Sequence, residues 1–277
     1  MNRRELLLLS AVAIGARSIG GAEALAQAAP SDIELVSELP PLPVDLQDKT
    51  SLPPAPYVET QLVGTAPPTP DEVEKAYDLM VNAPYGGAPI DVAQYFLAVG
   101  AGAYGQEYRP FAREWPIRAN PLIFQFFTST QTKPEGDVTA WCAAFVNWCL
   151  LRAHATSPDE IGQTPDFFFK KGRPFPPENL SQYSTNNASS GSFRCWDAVA
   201  SPNRGNVVVF KDAGTESLTP KCRGSGHVAF FVKVPADGLV QVLGGNQSQA
   251  GSNGAVTIAN MSTRPGSRFM KYVSLKG

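Results

Sequence analysis

T-A-W-C-A-A-F-V-N-W-C-L-L, Thr139 to Leu151, is the stretch from which the rest of this 277-residue chain is read. Apolar residues recur at Cys142, Phe145, Val146, Cys149 and Leu150, the spacing of one buried helical face. Either Thr139 or Asp137 can cap the start, and Arg152 and His154 suit the C-terminal end. The pattern predicts a helix with Cys142 in its first turn. A thiol there meets the positive end of the helix dipole and free backbone N–H groups, both of which favour thiolate. Cys142 is then a candidate nucleophile; the competing reading is a small core residue.

A cysteine hydrolase needs a histidine within hydrogen-bond reach of the thiol, oriented by a third polar group. The chain has two histidines. His154 lies twelve residues along the same predicted helix, about 18 Å away, so it is excluded. His227 remains, at the start of the strand pattern H-V-A-F-F-V-K-V. That run and L-V-Q-V-L, Leu239 to Leu243, are joined through P-A-D-G. A two- or four-residue loop pairs residues whose numbers sum to 473, which sets Asn246 opposite His227. A three-residue loop shifts the pairing by one and brings Gln247 there instead. Either amide can accept from the imidazole, and the alternative for G-G-N-Q is a plain turn at the strand end.

Outward from these residues the chain divides by composition. Residues 1–28 read as an export signal: a charged start, the short apolar run L-L-L-L-S-A-V-A-I-G-A, then A-L-A and A-Q-A as cleavage sites. Arg3 and Arg4 fit a twin-arginine signal, and an ordinary secretory signal fits as well. The expectation is a periplasmic or secreted protein with no membrane span. Residues 29–70 are rich in proline, with ten prolines between Pro30 and Pro70. This segment reads as an extended tether reaching roughly 100 Å, or else as a strap along the domain. Folded sequence is expected over 71–277, with a helical extension at 71–119 and a core at 120–277.

In that region D-E-V-E-K-A-Y-D-L-M, P-I-D-V-A-Q-Y-F-L-A-V-G and N-P-L-I-F-Q-F-F predict helices. Tyr104 to Arg118 is aperiodic and reads as an ordered loop. S-P-D-E-I-G and T-P-D-F-F-F-K-K-G are two short helical candidates, and Ser181 to Ser192 reads as a mobile surface loop. Strands follow at Asn206–Phe210, His227–Val234 and Leu239–Leu243, near Val256, and at Phe269–Val273. Helices followed by antiparallel strands predict an α+β domain.

W-C-A-A-F-V-N-W-C-L, R-G-N-V-V-V-F, G-H-V-A-F-F and V-L-G-G-N-Q, in this order and spacing, resemble the CHAP (cysteine, histidine-dependent amidohydrolase/peptidase) proteins, closest to a bacterial subgroup without an assigned function. The resemblance runs from about Asn120 to Tyr272. It implies a papain-like (NlpC-type) fold and hydrolysis of amide bonds in peptidoglycan, as amidase or endopeptidase, with Cys142, His227 and Asn246 at the motif positions. Asn206 stands where these proteins usually carry aspartate, Gly244 where many carry an acid, and Asp212 to Gly224 looks like an insertion.

Cys142 and Cys149 are about 10 Å apart on one helix, beyond disulfide reach, and pairing Cys142 elsewhere would remove the nucleophile. Cys195 with Cys222 is the expected disulfide, and Cys149 is expected in the core. Trp141 and Gln247 are the candidate substrate-binding residues, Trp141 as groove wall, with burial the competing reading for Trp141. No Cys/His spacing resembles a zinc site, so neither metal nor cofactor is expected. Residues 81–277 carry 18 bases and 13 acids, against 2 bases and 10 acids in Ser31 to Met80. A balance of +5 over that length is no case for nucleic acid. A monomer is expected, with peptidoglycan as partner. The rival readings are a thiol hydrolase of a protein or small amide and a non-catalytic wall-binding module.

Overall fold

The structure is a computed structural model that describes residues 39, 41–47, 66–134, 136–137, 139–158, 160, 178–212, 222–249 and 252–276. The export signal and most of the proline-rich segment lie outside the described residues, as do T-P-D-F-F-F-K-K-G and most of the Asp212 to Gly224 insertion.

Helix α1 is Pro70–Asn82, where Thr69 and Glu72 form a reciprocal capping box. α2 is Pro89–Ala101, begun by proline and ended by Gly102 at φ +87°. α3 is Pro121–Phe126, capped by the Asn120 side chain through Leu122 N–H at 2.9 Å. α4 is Cys142–His154 and α5 is Glu178–Ser181. Six strands complete the domain: β1 Ala198–Val199, β2 Val207–Lys211, β3 Gly226–Lys233, β4 Leu239–Gln249, β5 Ser252–Ser262 and β6 Phe269–Val273. They form one sheet in the order β1-β6-β2-β3-β4-β5, with every pairing antiparallel. The α+β expectation holds.

Strand alternation gives the sheet two apolar faces. Val207, Val209, Val228 and Phe230 join the main core beneath the helices, with Phe96, Phe126, Phe145 and Trp148. Val208, Phe210, Ala229 and Phe231 form a smaller cluster on the other face, with Val240 and Val242. Because α1 and α2 send Ala76, Leu79, Ile90 and Phe96 into the main core, residues 71–119 share one core with the sheet and α4.

Three local expectations change. The described residues of S-P-D-E-I-G form turns instead of a helix. The Ser181 to Ser192 stretch is pinned by buried Asn147, whose amide donates to Thr185 Oγ1 and Asn187 O and accepts from Thr185 N–H. Its serines are largely inside, and Ser190–Cys195 forms a 3-10 turn. Of the expected tether, residues 41–47 lie on the domain. Leu46 is buried, and Arg118 joins Asp45 at 2.8 Å to Glu72 of α1.

Cys195 and Cys222 are bridged, with Cα atoms 5.2 Å apart. Cys142 and Cys149 are free and buried.

Candidate active site

Cys142 is the first residue of α4, and every residue from Cys142 to Ala153 is buried. The helix is therefore packed all round instead of on one face. Its polar residues survive because they are bonded: Arg152 donates to the carbonyls of Val81, Ala83 and Pro158. Neither expected cap is used. Trp141 occupies the cap position and makes no side-chain cap bond. Asp137 instead accepts the backbone N–H groups of Trp115 (2.8 Å) and Asn120 (2.9 Å). It ties the loop before α3 to the approach of α4.

The backbone N–H groups of Val228, Ala143 and Cys142 lie around the Cys142 sulfur. Val228 is next to His227 in β3, so the thiol sits against the strand that carries the imidazole. His227 pairs with Phe210 of β2, their ring centroids 6.2 Å apart. Gly226 just before it admits no Cβ, which would collide with the Phe210 carbonyl. Cys142 and His227 are not hydrogen-bonded to each other in this resting arrangement; catalytic bonds of this kind often tighten only around substrate. His154 is far from both, stacked on Tyr183 and bonded to Leu150 O at 2.8 Å.

The third residue differs from the expectation. The hairpin has the 473 register, with Phe230 opposite Leu243 and Phe231 opposite Val242. Beyond Gly244, β4 bulges: its pairing with β5 slips between Gly244 and Gln247, and Asn246 takes φ +55°. A bulge re-aims the side chains after it. Gln247 Oε1 now lies 3.2 Å from His227 Nε2. The Gln247 Nε2 is committed to Thr257 O (2.5 Å) and Gly244 O (3.2 Å), so its oxygen must face the imidazole. That oxygen only accepts, so Nε2 carries the ring proton and Nδ1 is left as the base.

Gly244 explains how this is accommodated. A Cβ there would stand 2.7 Å from Ala229 Cβ and 3.4 Å from Gln247 Cδ. An acid at 244 has no room, and the Gln247 amide occupies the adjoining space.

Asn246 turns to the nucleophile's helix instead. With its amide oriented to satisfy both neighbours, it donates to Glu114 Oε1 (3.1 Å) and accepts from Trp141 N–H (3.2 Å). Glu114 Oε1 also accepts the Trp141 indole N–H at 3.0 Å. Trp141 is fully buried, stacked on Phe126, so it is core and not groove wall. Gln247, also buried, positions the imidazole and does not line an open groove. Sequence pattern gives no signal for Glu114, since it sits in the aperiodic Tyr104 to Arg118 loop.

Burial pushes the Cys142 thiol up, opposed by the three N–H groups around it. Burial lowers His227 to about 4, opposed by its bond to Gln247. Both shifts favour the neutral thiol and the neutral imidazole over the charged pair, against the thiolate that helix position alone favours. Glu114 is raised by burial, against the Trp141 bond. The charge of Asp212, which pairs with Arg268 at 2.5 Å, reaches both Cys142 and His227. Among the described residues, no three His, Cys, Asp or Glu side chains gather as a metal site.

A buried cysteine heading a helix against a histidine-bearing antiparallel strand is the arrangement that the four sequence blocks imply. Residues 133–246 match the CHAP domain. CHAP domains are generally cysteine- and histidine-dependent amidohydrolases or peptidases of papain-like fold. The CHAP match includes Cys142 and His227 and stops one residue short of Gln247; Glu114 lies outside it. Compared with curated proteins and with solved structures, the chain gives no match.

Proposed function

We propose that this chain is an exported cysteine hydrolase that cleaves amide bonds of peptidoglycan, as an amidase or endopeptidase, with residues 1–28 as its export signal. The observation that carries the chemistry is the seat of Cys142, at the head of a buried helix with its sulfur against Val228 N–H, beside a histidine held by Gln247.

In this reading His227 Nδ1 takes the Cys142 proton as the sulfur attacks the amide carbonyl carbon. The oxyanion forms near the Cys142 N–H, which as a first-turn group has no helical acceptor. His227 then protonates the departing amine, the C–N bond breaks and a thioester remains. Water, deprotonated by His227, attacks the thioester and releases the acid and the thiol. Gln247 holds the ring in one tautomer throughout.

One observation favours a second reading, a wall-binding module without chemistry: the thiol and imidazole are not hydrogen-bonded to each other at rest. Mass spectrometry of peptidoglycan incubated with the mature protein tests both. The hydrolase reading expects fragments with new amine and carboxyl ends from the wild type and none from Cys142→Ala. Wall sedimentation without fragments, together with alkylation of Cys142 no faster than of a free thiol, would support the second.

A further inference from the structure

A cavity of about 230 Å³, with no residue of α4 in its lining, lies between Leu39, Pro41, Leu42 and Pro43 on one side and the 3-10 turn Arg109–Ala112 on the other. Among the described residues its lining holds two guanidinium groups, Arg109 and Arg113, and no carboxylate. Arg113 is only 6 % exposed, and among the described residues its guanidinium makes no hydrogen bond or ion pair, its nitrogens reaching the cavity instead of being sealed off. Burial, and then the like charge of Arg109, depress its affinity for the proton. A lysine so placed could shed its proton; an arginine stays charged and needs an anion.

The neighbours are arranged to hold one. Arg109 Nη1 donates to Gln106 Oε1 at 2.7 Å, which leaves the Gln106 amide N–H groups free, and Arg109 Nε is buried without a partner among the described residues. Gly102 is required here, for a Cβ would stand 2.8 Å from Arg109 Cδ and 3.0 Å from Gln106 Nε2. The remaining walls, Leu39, Leu42 and three prolines, are apolar. At this volume the cavity falls short of the roughly 300–1,000 Å³ of drug-sized ligands, so it takes an end group and not a whole chain.

We propose that this cavity is a second binding site, separate from Cys142, for a carboxylate joined to one small apolar group, such as the free carboxyl end of a peptide. The planar forks of Arg109 and Arg113 suit the two carboxylate oxygens, and the leucines and prolines take the adjoining side chain.

The test is the melting temperature of the full chain against N-acetylalanine, N-acetylalaninamide and inorganic phosphate. N-acetylalanine raises it saturably and the isosteric amide does not. Arg113→Met weakens this binding by roughly tenfold or more, since a desolvated charge contact is lost. Without ligand the same variant melts close to the wild-type temperature, because no hydrogen bond or ion pair within the chain is lost and methionine keeps the apolar stem. Arg109→Gln, at the rim, weakens binding even if Arg113→Met does not fold. Equal effects of acid and amide, or a larger effect of phosphate, overturn the proposal. So does a ligand-free Arg113→Met that folds but melts far below wild type, since the guanidinium would then have a partner within the chain.

Discussion

Gln247 Oε1 meets His227 Nε2 at 3.2 Å, although the hairpin register, carried on to His227, would set Asn246 opposite it. The bulge at Asn246 reverses which of two adjacent amides faces the imidazole. The two can be told apart. Gln247→Ala removes the acceptor of a buried N–H and frees the ring to rotate, and is expected to lower kcat about 10- to 1000-fold with KM little changed. Asn246→Ala acts through Trp141 and is expected to cost less in kcat. Steady-state kinetics on released peptide decide it, and a larger loss from Asn246→Ala would restore Asn246 as the orienting residue.

Cys142→Ala is expected to abolish hydrolysis while the melting temperature stays within a few degrees. Cys149→Ala should keep kcat and lose on the order of 1 kcal/mol of stability, since its sulfur fills the centre of the core. Denaturant unfolding beside kinetics separates the two, and equal activity in wild type and Cys142→Ala would sink the mechanism.

His227 titrates at about 4 in the fold against an ordinary 6.5. Between those values the unfolded chain binds a proton that the folded imidazole refuses, so stability rises with pH across the window. Its contribution is complete above pH 6.5 and is lost as the pH falls toward 4, by roughly 3 kcal/mol in all. Glu114 and Asp137 are raised and act in the opposite sense, but they are common to wild type and His227→Asn, so the difference between the two isolates the imidazole. Wild type is expected to lose more stability than His227→Asn between pH 7 and 4.5; parallel losses would refute the shift. The acid limb of kcat/KM should likewise fall well below pH 6.5, as a property of the thiol–imidazole pair.

Glu114→Ala strips the acceptor from a fully buried indole N–H and releases Asn246. A cost of about 1–3 kcal/mol is expected, with Glu114→Gln largely restoring it because a carbonyl oxygen can accept in the same place. Chemical denaturation of the three proteins checks this, and a neutral Glu114→Ala would show the contact to be incidental.

Reduction of the Cys195–Cys222 bridge, which spans 27 residues, should destabilise by about 3.5 kcal/mol in the chain-entropy model. Thermal melts with and without reductant measure it, and an unchanged melting temperature would refute the estimate.

What the sequence determined by itself is what short-range pattern and elimination can carry. The cysteine helix, the proline that begins α2, the asparagine that caps α3, the strand block and the His227 to Leu243 hairpin register are local periodicities and loop lengths. With two histidines and four cysteines, chain geometry left His227 and the Cys195–Cys222 bridge as the remaining choices. Tertiary structure alone decided which amide faces His227, because a single bulged residue changes the side of every side chain after it, and an asparagine's tolerance of positive φ does not by itself place a bulge. It also decided the charge states. Helix position argued for a thiolate at Cys142, but the packing of α4 on all sides made desolvation the larger effect. The places of Glu114 and Arg113 were equally invisible, because an aperiodic loop shows its faces only when β5 lies against it, through Glu114 N–H to Gly254 O and the Arg113 to Ala255 bridge.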